Sequence, residues 1–121
     1  MIRLGVIGNL SYDGLPAVLE RLIALSPPLS ITPVFEQELH EIVQHAEMLN
    51  DPSRIDALLT LGGDGTMLRG ARLVAGRQIP VLGVNLGRLG FLTACAREDM
   101  ELAIQRLAAG DYIVQKRMTL E

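Results

Sequence analysis

At 121 residues and 13.2 kDa the chain has room for one domain with a real core, and not for two. Apolar residues make up 49% but are scattered among charges, so no run of roughly 20 apolar residues could cross a membrane. A formal net charge of −3 without a basic run argues against a nucleic-acid surface or an anionic-membrane binder. Cys95 is the single cysteine, which excludes an intrachain disulfide, fits a reducing compartment and reads most simply as a small buried hydrophobe.

Residues 2–8 bring glycine and polar residues too early for the apolar core of a signal peptide, so they read as a first strand and the protein as cytoplasmic. Leu15, Val18, Leu19, Leu22 and Ile23 then fall at helical spacing, closed by Pro27 and Pro28. Residues 31–35 are a second strand candidate, and the segment 38–49 puts Leu39, Ile42, Val43, Ala46 and Leu49 on one helical stripe. Residues 56–61 form an apolar run of strand length. The segment 64–75 is helical in composition, with Met67, Leu68, Ala71 and Val74 inward. Residues 79–84 repeat the strand signature, Met100, Ala103, Ile104 and Leu107 mark a helix stopped by Gly110, and residues 112–120 alternate enough to be a strand. Strands alternating with helices imply a parallel sheet covered on both faces, with ligands near the carboxyl ends of its strands. Nothing follows the last strand to cover it before Glu121, so the architecture is expected to continue.

Two glycine-rich blocks carry the chemistry. The first, Gly62-Gly63-Asp64-Gly65-Thr66, lies between a buried strand and a helix start, where bare backbone N–H groups and the helix dipole favour a phosphate and Thr66 adds a hydroxyl donor. Asp64 would repel that phosphate unless it takes a proton from a hydroxyl or helps hold a divalent cation; its plain alternative is a helix cap. The only lysine is Lys116, so there is no P-loop, and Gly5 with Gly8 gives half of a dinucleotide fingerprint. The second block runs from Pro80 to Leu92 and includes Gly83, Asn85, Gly87, Arg88, Gly90 and Phe91. His40 and His45, five residues apart, are spaced wrongly for one helix face and read as surface residues.

A Gly-Gly-Asp-Gly-Thr block followed, after a short helix, by Pro-x-Leu-Gly-x-Asn-x-Gly-x-x-Gly-Phe-Leu resembles the NAD kinase family, which phosphorylates the 2′-hydroxyl of the adenosine ribose of NAD. The resemblance implies a Rossmann-like or phosphofructokinase-like α/β fold, a parallel sheet with helices on both faces, truncated before a β-rich C-terminal domain. Residues 1–110 would be the nucleotide-binding domain and 111–121 the first strand leading into the missing one. Asp64 would be the catalytic proton acceptor, with Gly65 beside it in the dinucleotide site. Gly62, Gly63 and Thr66 would hold phosphates, and Arg69 would contact NAD unless it is a solvent-facing helix arginine. Asn85 would donate to a phosphate or ribose oxygen or form a turn, and Phe91 would lie near the adenine or in the core. Arg88 is assigned no role in the site.

No residue is assigned as a metal ligand. Mg²⁺ or another divalent cation would accompany the phosphoryl donor, ATP or polyphosphate, with NAD as acceptor. The full-length protein would be a homo-dimer or homo-tetramer. Two other readings stand beside this one: a lipid or sugar kinase sharing the Asp64 block, and a nucleotide-binding module without turnover.

Overall fold

The computed structural model describes residues 2–12, 14–43, 47–86, 95–96 and 99–110. Short apolar runs form the strands β1 (Ile2–Gly8), β2 (Ile31–Phe35), β3 (Glu47–Met48), β4 (Ala57–Gly62), β5 (Val81–Asn85) and β6 (Cys95–Ala96). Every pairing among them is parallel, in the order β3-β2-β1-β4-β5-β6. Continuous rather than alternating burial along β4 is what a sheet covered on both faces demands. The order reverses direction between β1 and β4, and the crevice outside the carboxyl ends of those two strands is where such a sheet takes its ligands.

Among the described residues four α-helices cover the sheet: α1 (Leu15–Leu25), α2 (Gln37–Val43), α3 (Asp64–Leu73) and α4 (Met100–Ala108). On one face Leu15, Val18, Leu19 and Leu22 of α1 and Met100, Ile104 and Leu107 of α4 pack with Leu4, Val6, Leu59, Leu61 and Val84 of the strands. On the other, Val74 just beyond α3 joins Ile7, Ile55 and Leu58. Residues 4 and 6 of β1 thus face one layer and residue 7 the other, the two-residue period of a strand. As the sequence pattern requires, Leu15, Val18, Leu19 and Leu22 are buried, whereas Ile23 lies at the rim, 38% exposed. Gly110 ends α4 in the left-handed region at φ 76°, donating its N–H to the Leu107 carbonyl at 3.1 Å.

The single helix expected over residues 38–49 is a shorter helix followed by a strand. α2 stops at Val43, and Glu47 and Met48 pair with Val34 and Phe35 as the edge strand β3. Of the predicted stripe Leu39 is fully buried, but Ile42 is 43% exposed. The open edge of β2 decides the matter: the Leu49 N–H reaches the Phe35 carbonyl at 2.6 Å, and Arg3 pairs with the Glu47 carboxylate. Sheet pairing therefore overrides helical spacing there. Strand β6 was not foreseen. The strand expected over residues 112–120, the proposed boundary at 110/111 and His45 lie outside the described residues.

Candidate functional site

The apolar run of β4 ends at Gly62, where the chain passes through Gly63 and turns directly into α3. Gly63 is the helix N-cap, with φ −114° and ψ −158°, and its carbonyl accepts the first helical bond from Met67 at 3.1 Å. Asp64, Gly65 and Thr66 make up the first turn of α3, the end at which a helix presents its backbone N–H groups. Thr60 points the opposite way, buried at 2% exposure with its hydroxyl directed to the Met67 sulfur at 3.5 Å.

The glycines of the loop answer to different demands. A Cβ on Gly62 would lie 2.4 Å from Thr66 Oγ1, 2.9 Å from Thr66 Cβ and 3.1 Å from Asn9 Cβ, so the fold itself requires glycine there. Among the described residues a Cβ on Gly63 or Gly65 would meet nothing within 4 Å, and neither residue has a positive φ. No packing contact among those residues and no positive φ therefore calls for glycine at either position. Further along α3, a Cβ on Gly70 would come within 2.6 Å of Thr60 Cγ2, so Gly70 sets how closely the helix lies on β4.

Neighbouring strands bring two more segments to this loop. In the register of β1 with β4, Gly8 stands beside Leu61, and the Asn9 N–H donates to the Leu61 carbonyl at 2.8 Å. Asn9 then closes a tight turn, its Oδ1 accepting from the Ser11 N–H at 2.9 Å. In the register of β4 with β5, Asn85 stands beside Gly62, and the Leu86 N–H donates to the Gly62 carbonyl at 3.2 Å. The β1 turn, the loop of residues 62–66 and the end of β5 thus form one contiguous rim at the switch point.

Arg69 lies on α3 above that rim. Its Nη1 donates to Glu36 Oε1 at 2.6 Å, and its Nη2 donates to Glu36 Oε2 and to the Gly8 carbonyl, each at 3.1 Å. Glu36 Oε2 also accepts from the Gly8 N–H at 3.0 Å. The hydrogen bond to Glu36 holds the Arg69 guanidinium above its ordinary pKa, against the opposing pull of partial burial.

A model of the ATP-NAD kinase N-terminal domain matches residues 37–112, more than half of the chain. The chain belongs to the NAD kinase family. It is 55% identical to an NAD kinase of Gemmatimonas aurantiaca over 99% of its own length and 42% of that relative's. It is also similar to the NAD kinase of Syntrophotalea carbinolica, at 34% identity over 100% of this chain and 44% of the relative. The chain therefore spans less than half the length of these curated relatives. Among solved structures, a yeast NADH kinase complexed with NADH superposes with a TM-score of 0.78 at 20% identity, covering 92% of this chain and 39% of that one, which establishes the shared fold.

Against this family the residues singled out from sequence sort clearly. Gly62, Gly63, Asp64, Gly65 and Thr66 stand together at the switch point, with the backbone of Asn85 alongside. The side chain of Asn85, and Arg88 and Phe91 altogether, lie outside the described residues, as does the side chain of Cys95. Arg69 is half exposed, yet its charge is already matched by a carboxylate rather than left open for a ligand. Glu36 was missed because an isolated acidic residue after a strand carries no sequence signature. Its place immediately after β2, beside the switch strand β1, is the one signal that could have found it. His40 is half-buried on α2, and no group of three or more His, Cys, Asp or Glu among the described residues stands together to hold a metal.

Proposed function

We propose that the full-length protein carrying this domain transfers the terminal phosphoryl group of ATP, or of polyphosphate, to the 2′-oxygen of the adenosine ribose of NAD. One observation carries the reading. A carboxylate, Asp64, opens a helix at the switch point of a parallel sheet, flanked by two glycines whose absent side chains face open space. A ligand's phosphates can approach bare backbone there, and the first-turn N–H groups and helix dipole favour their charge. Asp64 would accept the proton of the attacking ribose hydroxyl as the new P–O bond forms and the bond from the terminal phosphorus to its bridging oxygen breaks, releasing ADP or the shortened polyphosphate, while Thr66 and the backbone of residues 62–65 orient the phosphates. Phosphoryl transfer needs little more from a protein than such positioning and charge stabilisation. A divalent cation accompanying the donor would neutralise phosphate charge; among the described residues no group of three or more His, Cys, Asp or Glu stands together to hold one. A homo-dimer or homo-tetramer in the cytoplasm, without nucleic-acid or membrane partners, remains the expected setting. No described helix is long and apolar enough to cross a membrane.

A second reading, a nucleotide-binding module without turnover, is favoured for residues 1–121 alone by their covering 42% of a related NAD kinase. The deciding experiment measures NADP formation from NAD, ATP and Mg²⁺ by the complete gene product and by residues 1–121, each with Asp64→Asn. The expected result is activity in the complete protein, lowered at least about a hundredfold by the substitution, as for removal of a general base. No NADP from the folded complete protein, with ATP or polyphosphate as donor, would overturn the proposal. Retained activity in Asp64→Asn would remove Asp64 from the mechanism.

A further inference from the structure

Arg69 and Glu36 do more than neutralise one another. Glu36 follows β2 directly, its side chain 15% exposed, and its own N–H donates to the Val6 carbonyl at 3.1 Å, so its backbone is anchored to β1. The carboxylate accepts the Gly8 N–H while its partner Arg69 donates to the Gly8 carbonyl. Both main-chain polar groups of the last residue of β1 are thus held by one ion pair. The guanidinium meets the carboxylate in a two-bonded fork, the geometry that gives such pairs direction as well as strength. Arg69 sits five residues after Asp64 on the same helix, and Gly8 precedes Asn9, which borders Gly62. The pair therefore ties the helix that begins with Asp64 to the turn that forms the other lip of the crevice.

We propose that Glu36 is a positioning residue for phosphoryl transfer, acting through Arg69 and the Gly8 backbone to fix α3 and Asp64 against the β1 turn. The inference rests on the kinase reading above. It assigns Arg69 to holding the site's shape rather than to binding a phosphate with a free charge. A site built this way loses rate when the pair is cut, because the base drifts from the hydroxyl it must reach, while bare-backbone phosphate binding is affected less.

The test is a kinetic double-mutant cycle in the complete gene product, using Glu36→Gln, Arg69→Met and both together, with Tm recorded for each. Arg21→Met, which cuts the exposed ion pair with Glu101 between α1 and α4, is the control. Each single substitution in the Glu36 pair is expected to lower kcat about tenfold or more with KM for NAD and ATP moving less than about threefold, and the double variant to be no worse than the worse single. Glu36→Gln retains an acceptor for the Gly8 N–H. Should it not fold, Arg69→Lys, whose point-like ammonium lacks the planar fork that meets both Glu36 oxygens, takes the same readout. Three results overturn the proposal: additive effects, an unchanged kcat in Glu36→Gln, or a raised KM in Arg69→Met alone, which would make Arg69 a direct nucleotide contact. A wild-type protein that makes NADP while the variants are unaffected sinks this inference alone, whereas a wild type that makes none sinks the kinase reading with it.

Discussion

Exchanging the glycines at 62 and 65 for alanine separates what the fold needs from what the ligand needs. At Gly62 the new methyl would sit 2.4 Å from Thr66 Oγ1 and 2.9 Å from Thr66 Cβ. The hydroxyl can rotate away, but the Cβ is fixed to the first turn of α3, so helix and strand must part. Overpacking of this kind costs about 1–3 kcal/mol, and at roughly 4 °C of Tm per kcal/mol Gly62→Ala should melt about 4–12 °C early. Gly65 is the second residue of α3 and a methyl there meets nothing within 4 Å. Gly65→Ala should therefore leave Tm unchanged or raise it, by up to about 1 kcal/mol of helix propensity. If a phosphate lies against that bare backbone, the same stabilised variant should bind nucleotide at least about tenfold more weakly, equivalent to about 1.4 kcal/mol. Differential scanning calorimetry and titration calorimetry with NAD and with ATP read the two quantities independently. A Gly65→Ala protein that is at least as stable as the wild type and binds both nucleotides normally would refute the reasoning that open glycines mark the ligand's approach.

Gly70→Ala sets helix propensity against contact. The gain of about 1 kcal/mol is opposed by a methyl 2.6 Å from Thr60 Cγ2, 3.1 Å from Leu58 Cδ2 and 3.3 Å from Ile7 Cδ1. Because Thr60 is buried and stiff at its branched carbon, a net loss of up to about 2 kcal/mol is expected by thermal unfolding; a rise in Tm would show that α3 lies less closely on the sheet. Acid sensitivity should trace to two exposed carboxylates. The Arg3 side chain holds Glu47 below the usual range, and the Ser53 hydroxyl does the same for Asp51. Their folded-state pKa values being lowered, the stability they add is complete above the ordinary carboxylate value of about 4 and is lost as pH falls through their lower folded-state values. The Tm gap between wild type and the double variant Glu47→Gln/Asp51→Asn should thus be widest near neutrality and close in acid. A gap independent of pH would assign the effect to packing instead.

Where local pattern and tertiary structure agree, the sequence is transparent. The passage from Ala57 through Gly62 into α3 is legible because a buried strand, a glycine break and a 3.6-residue period follow one another without overlap. The segment from Gln37 to Met48 misleads because a two-residue edge strand has no period of its own, and Leu39, Ile42 and Val43 continue the helical spacing up to it. Only the exposed edge of β2, which sequence does not display, makes Glu47 and Met48 extended. The glycines of residues 62–65 were legible as a group but not individually, since the distinction between Gly62 and Gly65 lies in the distance to Thr66. Glu36 was invisible for the same reason: 33 residues separate it from Arg69, and nothing local announces the pair.

The ion pairs at the two ends of the sheet differ in how much solvent they give up. At the amino end Arg3 joins the Glu47 carboxylate and the Arg54 carbonyl, while its N–H meets Asp56, closing the edge of the sheet with groups that stay in water. Glu47 keeps 46% of its side-chain surface exposed and gives up little solvation. At the carboxyl end Glu36 keeps 15%, so its carboxylate carries a desolvation cost that two guanidinium bonds and the Gly8 N–H must offset. An apolar pair would brace β1 against α3 at less cost, but it could not engage the Gly8 N–H and carbonyl together. The charge balance matters as well. An unpaired arginine on α3 would make the fold at this end depend on whichever anion was bound. On the proposed kinase reading, Glu36 would let the crevice keep its shape on the protein's own charges and would leave the backbone at Gly63 and Gly65 for the phosphates.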